Sequence, residues 1–204
     1  PNSSLPSRFT GYPGFYQAAD YIIKTLQSYG YNVTLESFLV TVPMDKGAKI
    51  TLLDEKGQPT KVIKAFPLLP NSVSTCTTPP GGVEGKLIYA KTGELKYYND
   101  KKVNGSIVLL DYNSRYFWKY AVMLGARGII FIAPKTTTRI QSELKSLKIP
   151  LNIPRLYISA KDGQLLKELA YQNVTVRIES KVEWVNVPVQ NIVASVIGRE
   201  APYE

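Results

Sequence analysis

The sequence predicts an α/β fold, and the main observation behind this is a strand–helix–strand pattern in residues 103–134. Residues 106–111 form a short apolar run after an Asn-Gly turn signal, and residues 128–132 form a second run rich in β-branched side chains. Gly125 ends the intervening helix because glycine accepts the left-handed cap conformation. Two apolar strands joined by so short a crossover predict a sheet with that helix on one face. The helix is read from apolar side chains at helical spacing: Phe117, Tyr120, Ala121 and Leu124.

Further helices and strands are predicted on both sides of this unit. A helix begins at Phe15, with an apolar stripe expected to be buried, and ends at Gly30. Ser159 is the expected N-cap of a second helix, with Asp162 three positions on. The final strand is nearly continuously apolar, which is typical of a strand covered on both faces. The predicted strands are residues 31–42, 49–53, 61–65, 85–90, 156–159, 173–184 and 188–198, with helix at 161–170 and a helical turn near 142–147.

Composition indicates an ordinary globular protein. Of the 204 residues, 44% are apolar and 20% are charged. No apolar run reaches the roughly 18 residues that a membrane-spanning helix needs. The sequence begins with Pro1 and carries no signal peptide, so we expect a processed or excised fragment.

The absence of histidine argues against catalysis by this chain. Zinc sites are built from nitrogen, sulfur and carboxylate ligands, yet the chain has no histidine and a single cysteine, Cys76. A Ser/His or Cys/His pair is equally absent. Cys76 lies in a Pro- and Thr-rich loop with no basic neighbour, so we expect an inert thiol. Two carboxylate pairs remain, and both are expected to be solvated rather than catalytic: Asp54 with Glu55 in a hairpin turn, and Glu179 with Glu183 on one face of a strand.

The formal net charge of +9 raises the question of a nucleic-acid partner. Against it, the 25 basic residues are scattered, and Lys101-Lys102 is the densest cluster. Tyr97 and Tyr98 beside those lysines are expected to cover a core edge, so no nucleic-acid partner is predicted. Four Asn-x-Ser/Thr sequons favour an extracellular or cell-surface location, although Asn104 before Gly105 also reads as a tight turn. They begin at Asn2, Asn32, Asn104 and Asn173.

Two sequence blocks resemble the signature of the protease-associated domain. The first combines a Gly-x-Ile-Val-Leu strand with a Gly-Ala-x-Gly-Ile-Ile strand, and the second is an Ile-Pro-Arg-Leu-Tyr-Ile-Ser strand followed by Asp-Gly-x-Leu-Leu. The resemblance implies a swivelling β/β/α sandwich. The first block is carried by Gly105, Ile107, Val108, Leu109, Phe117, Lys119, Ala121, Gly125, Ala126, Gly128, Ile129 and Ile130. The second is carried by Ile149, Pro150, Ile153, Pro154, Arg155, Leu156, Tyr157, Ile158, Ser159, Asp162, Gly163, Leu165 and Leu166.

The two ends of the chain resemble a zinc aminopeptidase family that includes glutamate carboxypeptidase and the transferrin receptor. In that family a protease-associated domain interrupts the peptidase domain. The resemblance implies a peptidase-type helix and strand at residues 1–45, a protease-associated domain at 46–185 and a return strand at 186–204. The zinc ligands of the family have no counterparts here, so we expect no cofactor in this chain and zinc in a missing catalytic domain. The start is carried by Ser7, Arg8, Gly11, Ala18, Tyr21 and Ile22, and the return by Asn191, Ile192, Val193, Ala194, Ile197 and Gly198.

The expected function is that of a non-catalytic region of an exported zinc aminopeptidase that gates or contacts peptide substrate and mediates protein interactions. Asp111, Asn113 and Arg115, in a loop that leaves a strand end, are the candidates for substrate contact. Capping of the following helix through Asn113 or Ser114 is the structural alternative. Expected partners are a peptide or protein substrate, the rest of the peptidase domain and a second copy in a homodimer. The alternative function is a stand-alone binding module of the sorting-receptor type, which needs neither terminal segment.

Overall fold

A computed structural model describes residues 7–198, and within them strands and helices alternate along most of the chain. The predicted turn at residues 142–147 is found earlier, as α3, because Thr138 accepts a hydrogen bond from the backbone N–H of Gln141 and so starts the helix there. The predicted strands 173–184 and 188–198 form one continuous strand. The helices are α1 (Pro13–Ser28), α2 (Trp118–Met123), α3 (Arg139–Glu143) and α4 (Ala160–Tyr171), and a short 3-10 turn covers Leu95–Tyr97. The strands are β1 (Asn32–Leu53), β2 (Pro59–Pro67), β3 (Val83–Tyr89), β4 (Ile107–Asp111), β5 (Gly128–Ile132), β6 (Arg155–Ile158) and β7 (Thr175–Ser195).

The seven strands form a mixed sheet that closes in the order β1-β2-β6-β5-β4-β3-β7. The central strands β3, β4, β5 and β6 pair in parallel, while β1 with β2, β2 with β6 and β3 with β7 pair antiparallel. The predicted hairpin at Asp54 is present, since Asp54 Oδ1 accepts hydrogen bonds from the backbone N–H groups of Lys56 and Gln58. The α/β class predicted from the sequence is therefore confirmed.

Alternate residues of the parallel strands enter two different cores, which explains why these strands read as continuous apolar runs. All seven strands contribute to the first core, together with Leu166 of α4. The second core lies on the other face of β4 and β5, where Trp118 and Ala121 of α2 pack. The predicted packing of this helix on one face of the sheet is thus confirmed. Gly125 follows α2 with φ +87°, the left-handed conformation expected at the end of the helix.

The helix at α4 is set by its own sequence. Ser159 is the N-cap, and its Oγ accepts a hydrogen bond from the backbone N–H of Asp162 at 3.0 Å, as predicted. Gly163 in the first turn approaches Ile132 of β5 so closely that an added Cβ would lie 2.2 Å from Ile132 Cγ2. A glycine is therefore required where this helix meets the sheet.

The chain divides into two units, one made of the residues up to Met44 and from Trp184 onward, the other of Asp45–Glu183. In the first unit, Tyr16 Oη donates a hydrogen bond to the Pro188 carbonyl at 3.0 Å. Val42, Val187 and Val189 form a small buried cluster there, against which Phe15 packs.

Two expectations about burial in this first unit are met only in part by the described residues. The apolar stripe predicted for α1 is half-buried rather than buried, and Ile22 within it is 46% exposed. In the last strand, whose pattern is typical of coverage on both faces, Val189 is buried but Val193 is 43% exposed, and Val196 and Ile197, just beyond the strand's end at Ser195, are 75% and 78% exposed. Both segments carry apolar side chains for which residues 7–198 supply too little covering surface.

Among residues 7–198, no helix is both long enough and apolar enough to cross a membrane. The sequon at Asn2 and the end of the predicted return strand, from residue 199 onward, lie outside the described residues.

Candidate functional site

The candidate loop follows Asp111, the last residue of β4, whose side chain is engaged by two neighbours. Tyr89 Oη donates to the carboxylate oxygens at 2.9 and 3.1 Å, and Lys167 Nζ lies 2.9 Å from Oδ1. Burial raises the pKa of Tyr89, and the hydrogen bond to Asp111 adds to that rise. Burial acts to lower the pKa of Lys167, but its hydrogen bonds to Tyr89 and Asp111 outweigh it and raise that pKa. Asp111 therefore holds α4 against β3 and β4.

Asn113 and Arg115 tie the same loop to the segment that contains α3. Asn113 Nδ2 donates to the Thr136 carbonyl at 3.0 Å, and its Oδ1 accepts from Thr137 Oγ1 at 2.8 Å. The backbone N–H of Arg115 donates to Gln141 Oε1 at 2.9 Å. Arg115 has φ +45°, a conformation that side-chain-bearing residues rarely adopt and that its neighbours must hold in place.

The buried side chain of Lys145 holds the backbone of Arg115 in this conformation. The residue is 1% exposed, and its Nζ donates to the Arg115 carbonyl at 3.1 Å. The ammonium also lies 5.2 Å from the ring centre of Tyr112 and 5.5 Å from that of Phe131. Because no described carboxylate pairs with Lys145, burial lowers the pKa of its amine to about 8.

Arg155 is a second buried cation, and it contacts the backbone of Lys145. It is fully buried in β6 and donates from its Nη1 to the Lys145 carbonyl and from its Nη2 to the Leu69 carbonyl at 2.6 Å. Its Nη2 also lies 3.6 Å from Cys76 Sγ, and its guanidinium faces the Trp118 ring at 5.4 Å. Burial lowers the pKa of Arg155, while the neighbouring Cys76 acts in the opposite direction.

These contacts correct the expectation that Cys76 has no basic neighbour. Arg155 is far from Cys76 in sequence, but β6 brings its guanidinium against the loop that contains the thiol. The thiol is fully buried in this arrangement. Sequence adjacency therefore missed a neighbour that only the fold supplies.

The structure places Asp111, Asn113 and Arg115 close together in the chain, but only the first two side chains are held by hydrogen bonds or ion pairs to neighbouring residues in the described part of the chain. Those of Asp111 and Asn113 are engaged by Tyr89, Lys167 and the threonines. The Arg115 side chain is exposed, and no ion pair or side-chain hydrogen bond holds its guanidinium within residues 7–198. The alternative of helix capping is wrong, since α2 has Phe117 at its N-cap position and no side-chain cap.

Sequence reasoning missed Lys145 and Arg155, the two residues that support the loop. Lys145 lies in a polar stretch typical of a surface turn. The one available signal was Arg155 itself, a charged residue inside the otherwise apolar strand Arg155–Ile158. A cation in a buried strand needs several acceptors, which predicts an internal structural role.

The described residues offer no set of donors that fits a metal ion. Within residues 7–198 there is no group of three His, Cys, Asp or Glu side chains close enough to hold one. The two carboxylate pairs considered from the sequence occupy structural positions. Asp54 closes the hairpin, Glu179 pairs with Lys49 at 3.1 Å, and Glu183 pairs with Lys181 at 2.7 Å.

Searches of known proteins give matches to solved structures alone. No family model matches the sequence, and no curated protein does. Three similar structures are an aminopeptidase from Aneurinibacillus sp. strain AM-1, a peptidase M28 precursor from Shewanella amazonensis SB2B and a zinc aminopeptidase from Bacillus subtilis. Their identities to this chain are 17%, 21% and 20%, and their TM-scores are 0.52, 0.61 and 0.59.

The extent of these matches is asymmetric. They cover 92%, 95% and 91% of this chain, but 44%, 48% and 43% of the peptidase chains. The present chain therefore spans less than half the length of each of these structures. At this level of identity, the likeness shows that nearly the whole chain shares its fold with part of these peptidase chains.

Proposed function

We propose that this chain is a non-catalytic region of an exported zinc aminopeptidase, containing a protease-associated domain of the swivelling β/β/α type. The observation that carries the proposal is the fold likeness to three peptidase chains, which extends over at least 91% of this chain and less than half of theirs. The sequence blocks that resemble the protease-associated domain lie in the strand–helix–strand unit and in β6, where the two cores are built.

The zinc and the catalytic groups would belong to the remainder of that enzyme. Zinc requires ligands such as imidazole, thiolate and carboxylate in one cluster, and the described residues provide none. The present residues therefore do not fit a zinc site. In this proposal they bind and orient peptide substrate and contact the peptidase domain.

Arg115 is the residue that we place against substrate. Its side chain is exposed, while its backbone is fixed at both ends by Gln141 and Lys145. A rigid backbone that presents a free guanidinium suits the recognition of a carboxylate on a peptide. In the same proposal, Asp111 and Asn113 position the loop by binding its neighbours.

Activity measurements on two proteins test the proposed function. The full-length product of the gene should hydrolyse an aminoacyl-p-nitroanilide and lose that activity on zinc removal by a chelator. The present 204-residue chain, purified alone, should neither hydrolyse the reporter nor bind one tight zinc ion per chain by calorimetry. A full-length product that binds peptides without hydrolysing any would instead indicate a sorting-receptor type of module.

A substitution in the full-length enzyme tests the role of Arg115. We expect Arg115→Ala to raise KM for peptides that carry an acidic side chain about 2- to 5-fold with kcat unchanged, since a lost surface ion pair weakens binding in both ground and transition states. Alanine keeps the same backbone restriction at φ +45°, so the change is confined to the side chain. Arg139→Ala, at a comparably exposed arginine of α3, is the control and should leave KM unaltered. An unchanged KM for every peptide in the Arg115 variant would contradict this role.

A further inference from the structure

A cavity of about 530 Å³ lies among β3, the residues just before β4 and the end of α4. Its walls include Lys86 and Leu87 of β3, Lys101 and Lys102 of the following loop, and Tyr171 at the end of α4. Small-molecule sites in proteins commonly have volumes of about 300–1,000 Å³. The cavity thus has the size of a ligand site.

The charged groups that line this cavity are mostly positive. Three lysines line it, against a single carboxylate, that of Asp100. Lys86 is fixed, because its Nζ donates to the Asn173 carbonyl at 2.9 Å on the same wall. Lys101 and Lys102 are exposed, and neither forms an ion pair within residues 7–198. Two exposed ammonium groups that line a concave surface attract a small anion.

The rest of the lining is not that of a simple ion site. Ile88 and Ala170 are half-buried and line it, so the cavity borders apolar side chains. Tyr171 presents a side chain that is 78% exposed. A bare inorganic anion would leave this apolar surface uncovered, whereas a molecule with an apolar part would cover it.

We propose that this cavity binds a small carboxylate-bearing molecule with an apolar body, using Lys101 and Lys102 for the carboxylate and the surface formed by Ile88 and Tyr171 for the apolar part. The site adjoins the proposed substrate loop through Tyr89, which lines the cavity and donates to Asp111, but Asp111, Asn113 and Arg115 do not line it. The proposal stands whether or not the parent protein is a peptidase.

Paired probes that differ in one group test the proposal. N-acetylphenylalanine, N-acetylphenylalaninamide and acetate are titrated into the 204-residue chain, and amide chemical shifts are followed by NMR. The protein is produced in bacteria so that the sequons at Asn104 and Asn173, which also line the cavity, carry no glycan. We expect saturable shifts in residues 101–106 with the acid, and binding at least about 10-fold weaker with the amide and with acetate.

Two pairs of lysine variants decide which groups bind the carboxylate. The double variant Lys101→Gln with Lys102→Gln should weaken the binding of the acid about 5- to 10-fold. The control pair Lys56→Gln with Lys61→Gln, at the hairpin between β1 and β2, lowers the net charge equally and should leave the affinity unchanged. Equal affinity for the acid and its amide, an unaltered affinity in the Lys101/Lys102 variant, or no saturable shift would each overturn the proposal.

Discussion

Among residues 7–198, Lys145 and Arg155 are the two cations that the fold removes almost completely from water. Neither has a carboxylate partner among the described residues; each is instead held by carbonyl oxygens and aromatic rings. An uncompensated buried charge is costly, so these side chains must be fixed by the groups around them. Lys145 is held in part by the carbonyl of Arg115, whose backbone adopts a conformation that side-chain-bearing residues rarely populate. The burial of the Lys145 charge therefore depends on this backbone conformation.

The lowered pKa of Lys145 predicts a pH dependence of stability. The folded-state value of about 8 lies below the ordinary 10.5, so between these values the unfolded chain binds the extra proton and stability rises with pH. From pH 7 to 9.5 the free energy of unfolding should rise by about 2 kcal/mol through this group. Denaturant unfolding at a series of pH values measures the rise.

A matched pair of variants isolates the contribution of Lys145. The rise should vanish in Lys145→Met, which keeps the length of the side chain without the amine, whereas Lys148→Met at an exposed position should retain it. A wild-type protein whose stability is flat or falls over this pH range would contradict the assignment.

At the scale of elements, the contact between α4 and β5 depends on Gly163. Alanine would normally favour a helix over glycine by about 1 kcal/mol. Here its Cβ would lie 2.2 Å from Ile132 Cγ2, so we expect Gly163→Ala to lower the free energy of unfolding by about 1–3 kcal/mol through overpacking. Thermal and denaturant unfolding measure the change.

A second substitution shows whether the close contact is the cause. Ile132→Ala removes the branch that meets the added methyl, so the double variant should lose less stability than the sum of the two single changes. Glu168→Ala on the exposed side of α4 serves as the control for helix propensity and should have little effect. Additive losses in the double variant would show that the contact does not explain the effect.

The elements that could be predicted from the sequence are those whose local residue pattern agrees with their packing in the fold. The Ser159 cap, the turn at Gly125 and the strands at Ile107–Asp111 and Gly128–Ile132 were predicted because each is dictated by neighbours in the chain. The candidate loop was located for the same reason. Lys145 beneath it was missed because its burial depends on residues far away in sequence, Tyr112 and Phe131.

At the scale of the whole chain, exposed apolar side chains predict self-association. In the unit formed by the two ends of the chain, Leu39 is 67% and Val196 is 75% exposed, and Tyr21 of α1 is 71% exposed. Covering a valine or leucine side chain fully is worth about 1.5–3 kcal/mol, so several together favour a two-fold dimer. Light scattering over a concentration series should show a mass rising from 22.7 kDa toward twice that value.

Charged substitutions locate the surface responsible for association. Leu39→Lys with Val196→Lys should keep the protein monomeric at concentrations where the wild type associates. Val62→Lys with Leu95→Lys makes the same change at two similarly exposed apolar positions of the other unit and should leave association intact. A wild type that is monomeric at every concentration would refute the prediction.

Because β7 lies between β3 and β1, the sheet cannot close until β7 has been synthesised. On the ribosome β7 emerges last of the seven strands, so every earlier strand is available before the strand that joins the two open edges. Until Thr175–Ser195 has been synthesised, β1 and β3 each present unpaired backbone groups, which are templates for pairing with another nascent chain. The synthesis of β7, rather than the local folding of the earlier strands, is therefore the event that closes this sheet, and until then the growing chain presents unpaired strand edges that favour aggregation.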